Sequence, residues 1–138
     1  MDRSAALVIP ADLAGIERVT TALDAAMRAC GFPDGPIRDL QLAVEEAIAN
    51  AIVHGYRGAP GDVAVAIRAT REAVEVRIED RAPAFDPLSL PAPDREASLD
   101  ERPIGGLGVF LIRQVVDEAV YRYADGRNIL VLVKRRST

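Results

Sequence analysis

The chain has 138 residues, 49% of them hydrophobic, which suits one globular domain over residues 1–138 with enough apolar material for a single core. Its formal net charge of −4 argues against nucleic acid or an anionic membrane as the main partner, because both demand a basic field over the contact. The longest uncharged apolar runs, Ile48 to Val53 and Ile129 to Val133, are too short to span a bilayer, and MDRSAALVIP has no signal-like stretch. A lone cysteine, Cys30, has no internal disulfide partner and reads as a packing residue, so a cytoplasmic protein is expected.

In chain order, residues 4–9 (SAALVI) predict a short strand, and from Ala11 the spacing of Leu13, Ile16, Val19, Leu23 and Met27 predicts an amphipathic helix that stops at Cys30-Gly31. The turn FPDGP leads to a second helix, roughly Ile37 to His54, stopped by Gly55 and the RGAPG loop. This helix is apolar nearly all round from Leu42 to Val53, which predicts burial, yet it carries Glu46 and Asn50 one turn apart on one face. An unpaired buried carboxylate is costly, so a metal, a water or a substrate is expected beside it.

DVAVAIRAT and AVEVRIED alternate apolar and polar residues on either side of Arg71-Glu72 and predict a hairpin with one wet face. Residues 81–104 hold five of the nine prolines and no sustained periodicity, the pattern of a long loop or lid. GGLG then opens a helix with an apolar stripe of Val109, Leu111, Ile112, Val115 and Val116. AVYRYA and NILVLVKR, joined by Asp125-Gly126, close the chain as a second hairpin. The predicted order is β, α, α, β, β, lid, α, β, β.

Three pieces of this chain suit a nucleotide. The Asn50 side-chain oxygen is a hard ligand for Mg²⁺, which takes few protein oxygens and fills its other positions with phosphate and water. Glu46, one turn back, is placed to take a proton from an attacking hydroxyl. Asp80, closing a strand before the lid, can accept from an exocyclic amine of adenine, and the amides of Gly105, Gly106 and Gly108 at a helix start can approach phosphates. Singly, each has a bland reading as a polar pair, a turn residue or a tight entry turn. Their combination in this order is far more specific.

These residues resemble a known family. AVEEAIANAIVHGY resembles the N box of the GHKL (Bergerat-fold) ATPases, IEDRAPAFDP their G1 box, and PIGGLGVFLIRQVVDE their G2 box. The short chain with its NAIVHGY and PIGGLG segments is most similar to the anti-sigma-factor serine/threonine kinases. The resemblance implies an α+β, two-layer α/β sandwich, its mixed, mostly antiparallel sheet packed on about three helices, with a long ATP lid. It implies ATP and Mg²⁺ as cofactors and transfer of the γ-phosphate to a serine or threonine of a STAS-domain antagonist. It also implies a sigma factor or equivalent effector as second partner, and a homodimer. By resemblance Glu46 is the catalytic base, Asn50 the Mg²⁺ ligand, Asp80 the adenine contact, and Gly105, Gly106, Leu107 and Gly108 the phosphate loop. Arg18 matches an arginine at the partner surface. Ala82 stands where the G1 box usually has glycine, so its methyl could crowd the nucleotide, and Asn128 stands near a threonine that many relatives use to hold adenine.

Other residues read more plainly. His54 reads as a helix cap and Glu45 as a surface carboxylate. Tyr121, Tyr123 and Phe110 read as packing, and the KRRST tail as a solvated end. Two rival functions stand beside the kinase: a non-catalytic binding module whose nucleotide pocket has decayed, and an isolated ATPase fragment of the gyrase and chaperone kind.

Overall fold

The computed structural model describes residues 2–89 and 112–136. Strands β1 (Arg3–Pro10), β2 (Asp62–Ala69), β3 (Ala73–Asp80), β4 (Glu118–Ala124) and β5 (Arg127–Arg135) form one sheet in the order β1-β2-β3-β5-β4. Every neighbouring pair is antiparallel, so among the described strands the sheet is not mixed. Helices α1 (Ile16–Ala29) and α2 (Asp34–Asn50) cover one face, and a helical turn at 112–115 joins that layer. The fold is α+β with a helical and a strand layer, as expected.

Alternation decides which side of each strand enters the core. Val63, Val65, Ile67 and Ala69 of β2, Val74, Val76 and Ile78 of β3, and Leu130 and Leu132 of β5 are buried against Val19, Leu23 and Met27 of α1 and Leu40, Val44 and Ile48 of α2. The β4–β5 turn places Asp125 at φ 53° and Gly126 at φ 74°, two left-handed residues that match the twist of a two-residue hairpin. Because β5 enters against β3, Asp80 and Asn128 become direct cross-strand neighbours.

Helix α2 differs from its prediction in three ways. It starts at Asp34, three residues before Ile37, because Pro36 falls in the first turn, where a missing N–H costs nothing. It is not buried all round: Leu42 is 38% and Val53 45% exposed, since a helix in a two-layer fold covers the sheet with one side only. Beyond Asn50 the α pattern gives way to a π-helix over Ala51–Tyr56, which ends at Arg57 with φ 53°. Such segments are rare and concentrate at functional sites.

The tail also departs from its reading. Arg136 donates to the carbonyls of Cys30, Gly31 and Arg71 and lies over the Phe32 ring at 5.1 Å, closing the end of α1 rather than projecting into solvent.

Candidate functional site

Between α2, its π-extension and the sheet lies a small cleft. Ala47, Ala51 and Gly55 form its helical wall, Ile78 and Asp80 come from β3, Phe85 and Pro87 from the loop after it, Tyr121 from β4, and Asn128 and Leu130 from β5. Three small residues along one helix stripe leave the room. The lining is mainly apolar with a few convergent polar groups, the usual character of a small-molecule site.

Asp80, 8% exposed, ends β3 at the base of this cleft. Its Oδ1 accepts from the Ala82 N–H at 3.0 Å and from Asn128 Nδ2 at 2.8 Å. Burial holds the Asp80 carboxyl above the usual carboxylate range, and the bonds from Asn128 and Ala82 pull it part of the way back. Ala82 is 2% exposed and does not line the cleft. A methyl built on Gly55 would lie 3.2 Å from the Ala82 Cβ, so the Ala82 methyl faces the helix at Gly55.

Glu46 and Asn50 immediately precede the cleft residues Ala47 and Ala51, which sets them about 100° round the helix from that stripe, beside the cleft rather than in its wall. Glu45 is exposed and Glu46 half-buried, so the two neighbouring carboxylates divide as expected, although Glu46 is less enclosed than an all-apolar helix implied. Asn50 is 3% exposed, and its buried Nδ2 has no hydrogen-bond partner among the described residues. Buried amides are almost always satisfied, and an orphan marks a place for a ligand, an ion or a water. Turned by 180°, the same amide presents its oxygen, the hard donor a magnesium ion takes. The residues present thus fit a single protein ligand to Mg²⁺.

The glycine-rich segment Gly105, Gly106, Leu107, Gly108 lies outside the described residues, as do Phe110 and most of the lid. Beyond it a helical turn at 112–115 is described: Ile112 is fully buried, Arg113 donates to Leu88 O at 2.6 Å, and Lys134 Nζ caps the turn at Val115 O, 2.7 Å away. Arg18 is exposed on α1 in a groove with Leu7, Glu17 and Thr21, on a different part of the surface.

Tyr121 in the cleft wall, and His54 and Tyr56 on the π-helix beside it, escaped the sequence reading. His54 is not a cap: its ring stacks on Phe85 at 5.7 Å and 21°, and its buried Nε2 has no partner among the described residues. Tyr121 does more than pack, since its hydroxyl donates to Asn128 Oδ1. Tyr56 ties the π-helix to the sheet, donating to Asp62 O at 2.6 Å and accepting from Arg81 N at 3.0 Å. The contacts of His54 with Phe85 and of Tyr56 with Arg81 are long-range, and only the HGY run hinted at any of the three.

The histidine kinase-like ATPase domain family matches residues 9–134. The chain belongs to this GHKL family, on its anti-sigma-factor kinase branch. It is 31% identical over 106 residues to the serine-protein kinase RsbW of Listeria monocytogenes, covering 73% of this chain and 68% of that one. With the serine/threonine-protein kinase BtrW of Bordetella bronchiseptica it shares 34% over 94 residues, 67% of this chain and 66% of the relative. RsbW of Bacillus cereus is 24% identical over 127 residues, 89% and 79% of the two chains. The crystal structure of the RsbU and RsbW domains of Rv1364c from Mycobacterium tuberculosis shares the fold, with a TM-score of 0.66 and 20% identity over 99% of this chain and 33% of that one. No helix among the described residues is long and apolar enough to cross a membrane.

Proposed function

We propose that this chain is an ATP- and Mg²⁺-dependent serine/threonine protein kinase of the cytoplasm that phosphorylates a STAS-domain anti-sigma-factor antagonist and, in its other state, holds a sigma factor or equivalent effector. The observation that carries the reading is the orphaned amide of Asn50 beside a cleft whose floor is Asp80.

In this reading Asp80 accepts from the exocyclic amine of adenine while Ile78, Leu130 and the α2 alanines enclose the base. Asn50 holds the metal, which supplies charge neutralisation at the phosphates. Gly105, Gly106, Leu107 and Gly108 offer backbone amides to the phosphates, and the half-buried Glu46 takes the proton of the attacking hydroxyl. Phosphoryl transfer needs positioning and electrostatics more than covalent chemistry, so this small set of groups suffices. Phosphate added to the antagonist introduces repulsion and desolvation at an acidic interface and releases it. Arg18 is assigned to the partner surface, and a homodimer is expected. The rival binding-module reading drew on Ala82, which is not among the residues lining the cleft.

Incubation with labelled ATP, Mg²⁺ and a STAS antagonist tests the proposal. Wild type should transfer label. Glu46→Gln should retain nucleotide affinity while transfer falls by about 10²- to 10⁴-fold, the usual worth of a general base. Absence of transfer by wild type, or undiminished transfer by Glu46→Gln, would remove the catalytic assignment, and light scattering would decide the dimer.

A further inference from the structure

We infer that Asn128 is a positioning residue that makes this cleft select a 6-aminopurine over a 6-oxopurine; the inference rests on the cleft being the nucleotide site proposed above. Asn128 is 5% exposed and is the most fully engaged side chain at the cleft. Its Oδ1 accepts from the Phe85 N–H at 2.9 Å and from the Tyr121 hydroxyl. Its Nδ2 donates to Asp80 Oδ1 at 2.8 Å, to Ala82 O at 3.0 Å and to Pro83 O at 3.2 Å.

Two donors converge on one end of this amide, and a carboxylate and two carbonyls on the other. Inverting it would set N–H against N–H and oxygen against oxygen, so only one orientation is allowed. The NH₂ group is thereby aimed at Asp80.

The consequence falls on the carboxylate. Asp80 Oδ1 is engaged by two donors, Asn128 and the Ala82 N–H, and among the described residues no hydrogen bond reaches Oδ2. Oδ2 is therefore the atom left to read a base. Donors to a carboxylate favour its charged form, and a charged oxygen can only accept. An amine at position 6 of a purine satisfies it. A carbonyl there sets lone pair against lone pair and leaves a buried acceptor unmet, which sites of this kind reject strongly. Without Asn128, one of the two donors is gone, and Asp80 is freer both to rotate and to take a proton on Oδ2, from which it would donate to a 6-oxo group. Tyr121 acts one bond further out, by holding the amide in its single orientation.

The test compares the Mg²⁺ complexes of ATP and inosine triphosphate, which differ at position 6, by calorimetry on the full chain, with thermal melts as the folding control. Wild type should bind ATP at least about tenfold more tightly. Asn128→Ala should bring the ratio to within about threefold by weakening ATP and sparing inosine triphosphate. Asn128→Thr, which keeps one donor, should restore part of the ratio, and Tyr121→Phe, which leaves the Phe85 N–H in place, should fall between wild type and Asn128→Ala. Equal loss for both nucleotides, or an unchanged ratio in any folded Asn128 variant, overturns the inference. So does a wild type that binds both equally, with the nucleotide reading intact. A wild type that binds neither at millimolar concentration overturns the nucleotide reading, and this inference with it.

Discussion

Gly55 and Ala82 share the space for one methyl group. A Cβ at position 55 would sit 3.2 Å from the Ala82 Cβ, closer than such atoms ordinarily pack, so the chain can carry a side-chain carbon at one of these positions but not comfortably at both. The methyl gained in the loop after β3 is accommodated by the one missing from the helix. Gly55→Ala gains helix propensity worth about 1 kcal/mol and meets overpacking of about 1–3 kcal/mol, so it should be destabilising in the wild-type chain. In an Ala82→Gly background the clash is gone and the same change should stabilise. A denaturant double-mutant cycle should return a coupling of about 1 kcal/mol; additive effects would show that the two positions do not compete.

Asp80 should be a residue whose charge costs stability. Burial raises its folded-state pKa above the unfolded value, so the folded chain binds a proton more tightly than the unfolded one. Its contribution is most favourable below the unfolded value and is lost as pH rises through the raised one. Asp80→Asn keeps an acceptor for Asn128 and removes the charge. Its melting temperature, compared with wild type between pH 4 and 8 (about the span of an elevated carboxyl), should gain on wild type with rising pH, while ATP affinity is lost. A gap independent of pH would count against the raised carboxyl.

Asn50 carries the same kind of conflict. Its buried Nδ2 has no hydrogen-bond partner among the described residues, so Asn50→Ala should leave stability within about 1 kcal/mol of wild type. Mg²⁺-dependent nucleotide binding should disappear. Titration with ATP in magnesium and in EDTA checks this: a variant that still responds to the metal would place the ion elsewhere.

Gly61 is required by Tyr56. A Cβ there would fall 2.2 Å from the Tyr56 ring, which is anchored by its bonds to Asp62 O and Arg81 N and cannot swing aside freely. Gly61→Ala should cost about 2 kcal/mol in chemical denaturation, and Tyr56→Phe about 1 kcal/mol through loss of its two hydrogen bonds. If the glycine substitution is silent, the tyrosine is not the strut between the π-helix and the sheet that its contacts describe.

The strands were legible because alternation with period two is a local property. Val63, Val65 and Ile67 announce a buried face wherever the strand is placed, and Asp125-Gly126 can close only a tight hairpin. Asp80 and the Glu46/Asn50 pair were legible as candidates because each sits in a short, chemically distinctive run. Helix burial was misjudged from Leu42 to Val53, since composition round a helix does not say how many layers cover it.

Sequence alone determined the order of the described elements, the inward faces of the strands, the family likeness and the candidate site residues, because each is encoded within a dozen neighbouring positions. Tertiary structure alone decided the rest. It set Asn128 opposite Asp80 and under Tyr121, turned the Ala82 methyl toward Gly55, stacked His54 on Phe85 and left the Asn50 Nδ2 without a partner among the described residues. Each of these depends on which strand lies beside which and on how a buried polar group is satisfied across distant parts of the chain, and no local pattern carries that information.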